Sequence, residues 1–205
     1  MNATLRTTKG RKFPPEVLTA EEFTGLMRGC SLRAPTGIRN RALLTVGYRA
    51  GLRISEALAL QPKDIDLESG EVRVLFGKGG KSRTVALDVG ACAIIQRWID
   101  KRHDLGLNGA QRLFCTLHGR PMSRDYIRQL MPRLARRAGI EKRSNFHSLR
   151  HSFAHGLSGE GVPVEEIRRL LGHESLQVTG AYLAHIAPHD LVERIRNRPE
   201  WGKGL

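Results

Sequence analysis

A chain of 205 residues with 34 Lys and Arg against 20 Asp and Glu carries a formal net charge of +14, and its 40% apolar content suffices for one buried core. Like charges repel in a compact state, so an excess this large points to a polyanionic partner, of which nucleic acid is the common one. A membrane surface is a poor fit, because no basic amphipathic helix with an aromatic-rich face occurs in a chain of 5% aromatics, and no apolar run of about 18 residues is present to span a bilayer.

The stretch 1–15 carries Arg6, Lys9, Arg11 and Lys12 with no acidic residue and no apolar run behind them. Residues 1–17 therefore read as a basic arm rather than a signal peptide, 18–205 as one domain, and the location as cytoplasmic. Thr19 and Glu22 have capping-box spacing, with Phe23, Leu26 and Met27 following on one face of a first helix. Ile38, Ala42, Leu43 and Val46 recur at helical spacing, and a short helix is expected from Arg53 to Leu60. The period then changes to two. Val72, Val74 and Phe76 form one run and Arg83, Val85 and Leu87 another, joined by Gly77-Lys78-Gly79-Gly80-Lys81, which predicts a hairpin with a glycine-rich turn.

Asp88 suits the cap of a helix bearing Ile94, Ile95, Trp98 and Ile99. Ser123 suits the cap of another bearing Ile127, Leu130, Met131, Leu134 and Ala138, where Pro132 is expected to introduce a kink. Helical segments follow over 149–157 and from Pro163, the latter with Val164, Ile167, Leu170 and Leu171 inward and Gly172 as its stop. A last helix begins at Pro188. The expected fold is mainly α with a small antiparallel β-sheet, an α+β domain. Cys30, Cys92 and Cys115 lack any CxxC spacing, which argues for small buried side chains rather than disulfides or a zinc site.

Four segments place a basic or nucleophilic group on a structural boundary. In Gly51-Leu52-Arg53-Ile54-Ser55-Glu56, Arg53 lies in the first turn of a helix, where phosphates also bind, and Glu56 is three residues on, within reach of the guanidinium or the helix start. Lys78 on its glycine-flanked turn can extend a charge or proton to a bound strand, with Lys81 as its rival. His147 and Arg150 share a helix face, and both can donate to one phosphate. His147, His151 and His155 also recur every fourth residue, but Ser148 stands where a metal-hydrolase motif needs Glu, so no metal is expected. Finally, His173 follows the Gly172 helix stop, with Tyr182 nine residues later. A tyrosine, with a pKa near about 10, becomes a useful nucleophile only among positive charges or beside a base.

Together these segments resemble the tyrosine recombinase (phage integrase) family, especially its Xer-like members, over roughly 18–196. The resemblance implies the catalytic-domain fold of that family. It assigns Arg53, with Glu56 in support, to the family's Gly-Leu-Arg-x-Ser-Glu segment and Lys78 to its hairpin turn. His147 and Arg150 fall on the His-x-Leu-Arg-His segment, His173 on Leu-Gly-His, and Tyr182 on the nucleophile. The implied activity is site-specific recombination of double-stranded DNA by cleavage and rejoining through a 3′-phosphotyrosyl intermediate, without metal or nucleotide. Arg124, Arg128, Arg133, Arg136, Arg137, Lys142 and Arg143, together with Lys81, are expected to track the DNA backbone.

A homotetramer on synapsed DNA and accessory DNA-binding proteins are further expectations of the resemblance. The usual N-terminal core-binding domain has no counterpart here, which suits either a minimal single-domain member or a fragment. The residues after Tyr182 are expected to pack on their own core or on a neighbouring protomer. A silent DNA-binding regulator of the same fold and a type IB topoisomerase-like relaxing enzyme stay open as alternatives, with Tyr48 and Tyr126 as the rival tyrosines.

Overall fold

The computed structural model describes residues 16–75, 82–107, 109 and 111–172. Seven α-helices, one 3-10 turn (Pro62–Asp64) and a pair of antiparallel strands make up the described chain, in the order α1 (Ala20–Arg28), α2 (Pro35–Arg49), α3 (Ile54–Ala59), the 3-10 turn, β1 (Glu71–Val74), β2 (Arg83–Ala86), α4 (Val89–Asp104), α5 (Arg124–Arg137), α6 (Phe146–Gly159) and α7 (Val164–Leu171). The architecture is the mainly helical domain with one antiparallel two-stranded sheet that the periodicities predict.

Capping chemistry sets the helix starts. The Thr19 hydroxyl accepts from the Glu22 amide at 3.2 Å while Glu22 Oε2 accepts from the Thr19 amide at 2.7 Å. Asp88 accepts from the Ala91 amide, Ser123 from Tyr126 and Asn145 from Ser148, opening α4, α5 and α6. The α5 helix runs on past Pro132 to Arg137, and Pro132 lies on its exposed side.

The central element is α2, buried almost throughout and packed between α4 and α6. Its polar side chains are satisfied internally: Arg39 donates to the Cys115 carbonyl, and Asn40 donates to the Tyr126 hydroxyl at 2.9 Å. Around α2 one core gathers α1, α4, α5, the two strands and the start of α6. A second, smaller cluster of Ala154, Ile167 and Leu171 joins α6 to α7. Within α7, Ile167 and Leu171 face inward as the spacing predicts. Val164 does not, being 41% exposed in the first turn, ahead of the point where the helix meets α6. All three cysteines are buried and free.

Candidate active site

The site begins where α2 turns into α3. Gly51 sits at φ 62°, and a Cβ there would lie 2.3 Å from Phe153 Cδ1, so only glycine fits this turn. The turn delivers Arg53 to the N-cap of α3. One helical turn on, Glu56 reaches back and accepts from the Arg53 amide at 2.8 Å and from Arg53 Nη1 at 2.7 Å.

Glu56 is 3% exposed, and a second guanidinium completes its shell. Arg83 of β2 grips the carboxylate with both arms of its fork, Nη1 to Oε1 at 3.0 Å and Nη2 to Oε2 at 2.8 Å. Arg150 Nη1 stands 3.9 Å from the same carboxylate. Burial alone would raise the Glu56 pKa. Hydrogen bonds from Arg83 and the Arg53 amide, with the Arg83 charge, outweigh that and hold it at about 2. One carboxylate among three guanidiniums leaves the cluster positive.

The same three arginines close on the end of α7. Arg83 Nε donates to the Leu170 carbonyl at 2.7 Å, Arg150 Nη2 to the Leu171 carbonyl, and Arg53 Nη2 to the Gly172 carbonyl at 3.3 Å. The last carbonyls of a helix lack intrahelical partners and carry partial negative charge, so cations satisfy them well. Gly172, left-handed at φ 62°, ends the helix as its spacing predicts. Arg150 is the inner cation, with its side chain 0% exposed and Nη1 donating to the Gly51 carbonyl at 2.6 Å. Arg53, at 24%, is the outer one.

His147 lies in the first turn of α6, solvent-exposed at its surface, with its ring 4.4 Å from that of His151 and nearly perpendicular to it. Desolvation by the protein mass behind it, then the charges of Arg150 and Arg53, lower its pKa below the ordinary 6.5. A neutral imidazole at physiological pH is a proton acceptor.

Of the residues singled out by sequence, the structure brings Arg53, Glu56 and Arg150 into one cluster, with His147 in its field. Lys78, Lys81, His173 and Tyr182 lie outside the described residues. Arg124, Arg128, Arg133, Arg136, Arg137 and Arg143 are exposed, Arg128 paired with Asp125 at 2.9 Å. Lys142 is engaged within the protein instead, with Nζ 2.6 Å from Glu22 Oε2 and 2.5 Å from the Val17 carbonyl. Tyr48 is stacked on Phe23 at 3.8 Å, and burial pushes its phenol up; the Tyr126 hydroxyl accepts from Asn40. Sequence reasoning missed Arg83. The available signal was its phase: in the run Arg83, Val85, Leu87 an arginine occupies an inward position of a half-buried strand, which requires a buried anion.

Residues 16–189 match the phage integrase family, and the chain belongs to that family. It is 34% identical over 203 residues to a tyrosine recombinase XerD of Bifidobacterium longum, covering 94% of this chain and 65% of that protein. Among solved structures it is similar to the XerA recombinase, with a TM-score of 0.79 and 26% identity over 93% of this chain and 68% of the other. It is also similar to the XerH site-specific recombinase bound to a palindromic difH substrate in a post-cleavage complex, with a TM-score of 0.75 and 28% identity over 90% and 53% of the two chains. The fold is that of the tyrosine recombinase catalytic domain. The chain spans 54–65% of the length of these and similar curated relatives.

Proposed function

We propose that this chain is the catalytic part of a site-specific DNA recombinase that breaks and rejoins double-stranded DNA through a 3′-phosphotyrosyl intermediate on Tyr182. The observation that carries the reading is the cluster of Arg53, Arg150 and Arg83 around Glu56, built against the end of the helix that leads into His173. Similarity to a recombinase captured with its DNA substrate supports DNA as the partner.

In this mechanism the Tyr182 oxygen attacks phosphorus, the P–O5′ bond breaks, and a 5′-hydroxyl leaves. Negative charge grows on the non-bridging oxygens, and preorganised cations are the main means of stabilising it. Arg53, the more exposed guanidinium, meets the phosphate first. Arg150 then exchanges a carbonyl partner for a phosphoryl oxygen, and His173 adds a third donor. His147, neutral at physiological pH, accepts the Tyr182 proton, and Lys78 delivers one to the leaving 5′-oxygen. The reverse step on a new 5′-hydroxyl joins exchanged strands, which calls for a synaptic assembly of several protomers.

The test is covalent capture. A pool of nicked duplexes with randomised flanks is incubated with the protein, and adducts are collected on a denaturing gel. Wild type is expected to form an adduct that Tyr182→Phe abolishes. An adduct surviving that substitution would move the nucleophile elsewhere, and duplex binding with no adduct would favour a silent regulator. Relaxation of supercoiled DNA without exchange would favour a topoisomerase-like activity.

A further inference from the structure

We propose that Arg83 is a positioning residue that ties three parts of the active site into one unit: Glu56 with Arg53, the end of α7, and strand β2. The inference rests on the recombinase reading above, and the contacts on which it stands are structural. Arg83 makes three bonds to two partners from one planar group: two to the Glu56 carboxylate and one, through Nε, to the Leu170 carbonyl. Glu56 in turn holds both the amide and the guanidinium of Arg53. Arg53 and Arg150 also reach both groups, Arg150 approaching Glu56 at 3.9 Å and Arg53 meeting the Gly172 carbonyl at 3.3 Å, whereas the Arg83 bonds to Glu56 and Leu170 are 2.7–3.0 Å.

The surrounding structure makes this link consequential. Among the described residues, the apolar anchorage of α7 is a small cluster of three buried side chains, Ala154, Ile167 and Leu171, flanked by the partly buried Phe153, Leu157 and Val162, with Leu170 against the main core. Its remaining contacts run chiefly to β2, the strand that carries Arg83. A helix held by so small a core takes its exact placement from the polar clamp at its end. Arg83 is itself 11% exposed at the side chain, and each of its three nitrogens donates to protein, which places its role in holding Glu56 and α7. It also opens β2, the strand that pairs with β1.

Only a guanidinium can satisfy this arrangement. A lysine keeps the charge, but its compact ammonium cannot hold both carboxylate oxygens and a carbonyl on the far side. Arg83→Lys therefore preserves the charge balance around Glu56 while breaking the link to α7. A misplacement of this kind is expected to slow single-turnover cleavage on the order of 10–100-fold, with the affinity for DNA unchanged, because no phosphate contact is lost.

The experiment compares wild type, Arg83→Lys, Glu56→Gln and the double variant by two readouts. The first, without DNA, is amide hydrogen exchange: residues 164–172 and the start of α3 are expected to exchange at least tenfold faster in Arg83→Lys, with α2 and α4 unchanged. The second is the rate of adduct formation at saturating nicked duplex from the captured pool, alongside the equilibrium affinity for that duplex. Arg83→Lys is expected to lose rate and keep affinity. The double variant is expected to be no slower than the slower single variant, since both substitutions break one chain of contacts. Equal loss of affinity and rate would make Arg83 a DNA contact and overturn the proposal. So would unchanged exchange in α7, or multiplicative losses in the double variant. If wild type forms no adduct with any duplex, the recombinase reading fails, while the exchange measurement still decides whether Arg83 holds α7.

Discussion

At the scale of single residues, the chemistry converges on Glu56, a buried carboxylate whose pKa is depressed from an ordinary 4.5 to about 2. A group whose folded pKa is lowered contributes stability above its unfolded value, and that contribution is lost as pH falls through the folded one. The window here runs from about 4.5 down to about 2, with a contribution of the order of 3 kcal/mol. Denaturant melts of wild type are therefore expected to show a steep loss of stability across that range. Glu56→Gln should be markedly less stable at pH 7, by about 3–5 kcal/mol, because it leaves Arg83 buried without its anion. The gap between the two proteins should narrow towards pH 2, and a gap independent of pH would contradict the assignment. His147 is shifted in the same direction, towards its deprotonated form, which for an imidazole is the neutral one. Its lowered pKa keeps it neutral above the ordinary value of 6.5. If it receives the Tyr182 proton, the adduct-forming rate should hold level from pH 8 down to about 6.5 and decline only below it. His147→Gln should slow the step and remove that acid limb.

At the scale of elements, the weak member is α7. Ile167 and Leu171 are its only buried apolar residues, against the continuous core that surrounds α2. Ile167→Ala is expected to cost about 2–4 kcal/mol locally. Hydrogen exchange should register it as opening of α7, with α2 and α4 still protected, and the cleavage rate should fall as the clamp loses its helix. The elements themselves were largely legible, because caps and periodicity are local. Thr19 with Glu22, Asp88, Ser123 and Gly172 each announce a boundary through a hydrogen bond made within a few residues. The site was legible only where its contacts are local too. Arg53 and Glu56 are three apart on one turn, and their pairing follows from helix geometry. Arg83 meets Glu56 across 27 residues and Leu170 across 87, and no spacing rule reaches that far. The inward turn of Arg150 is equally non-local, since its partners, Gly51 and Leu171, come from two other elements.

At the scale of the whole molecule, a net charge of +14 overstates what DNA can touch. Several arginines spend their donors on carbonyls inside the fold. Arg39 and Arg150 are buried, and Arg102 holds the loop after α4 through the carbonyls of Leu107, Arg112 and Leu113. Composition alone cannot separate these clamps from a binding surface, because both use the same side chain. Exposure separates them. Arg124, Arg133, Arg136, Arg137 and Arg143 stand open, whereas Lys142 anchors the start of α1 through Glu22 and Val17. Affinity for duplex DNA should fall steeply with salt, and each phosphate-contacting arginine changed to Gln should lower the slope of log K against log salt by about 1. Arg136→Gln is expected to do so while leaving the thermal midpoint within a degree or two. Lys142→Gln should behave in reverse, lowering the midpoint by releasing Glu22 and Val17 while leaving the salt slope as it was. Titrations of both variants at several salt concentrations, set beside their melting curves, test the partition. A reduced slope in Lys142→Gln, or an unchanged one across all the exposed arginines of α5, would place the DNA on another face of the domain.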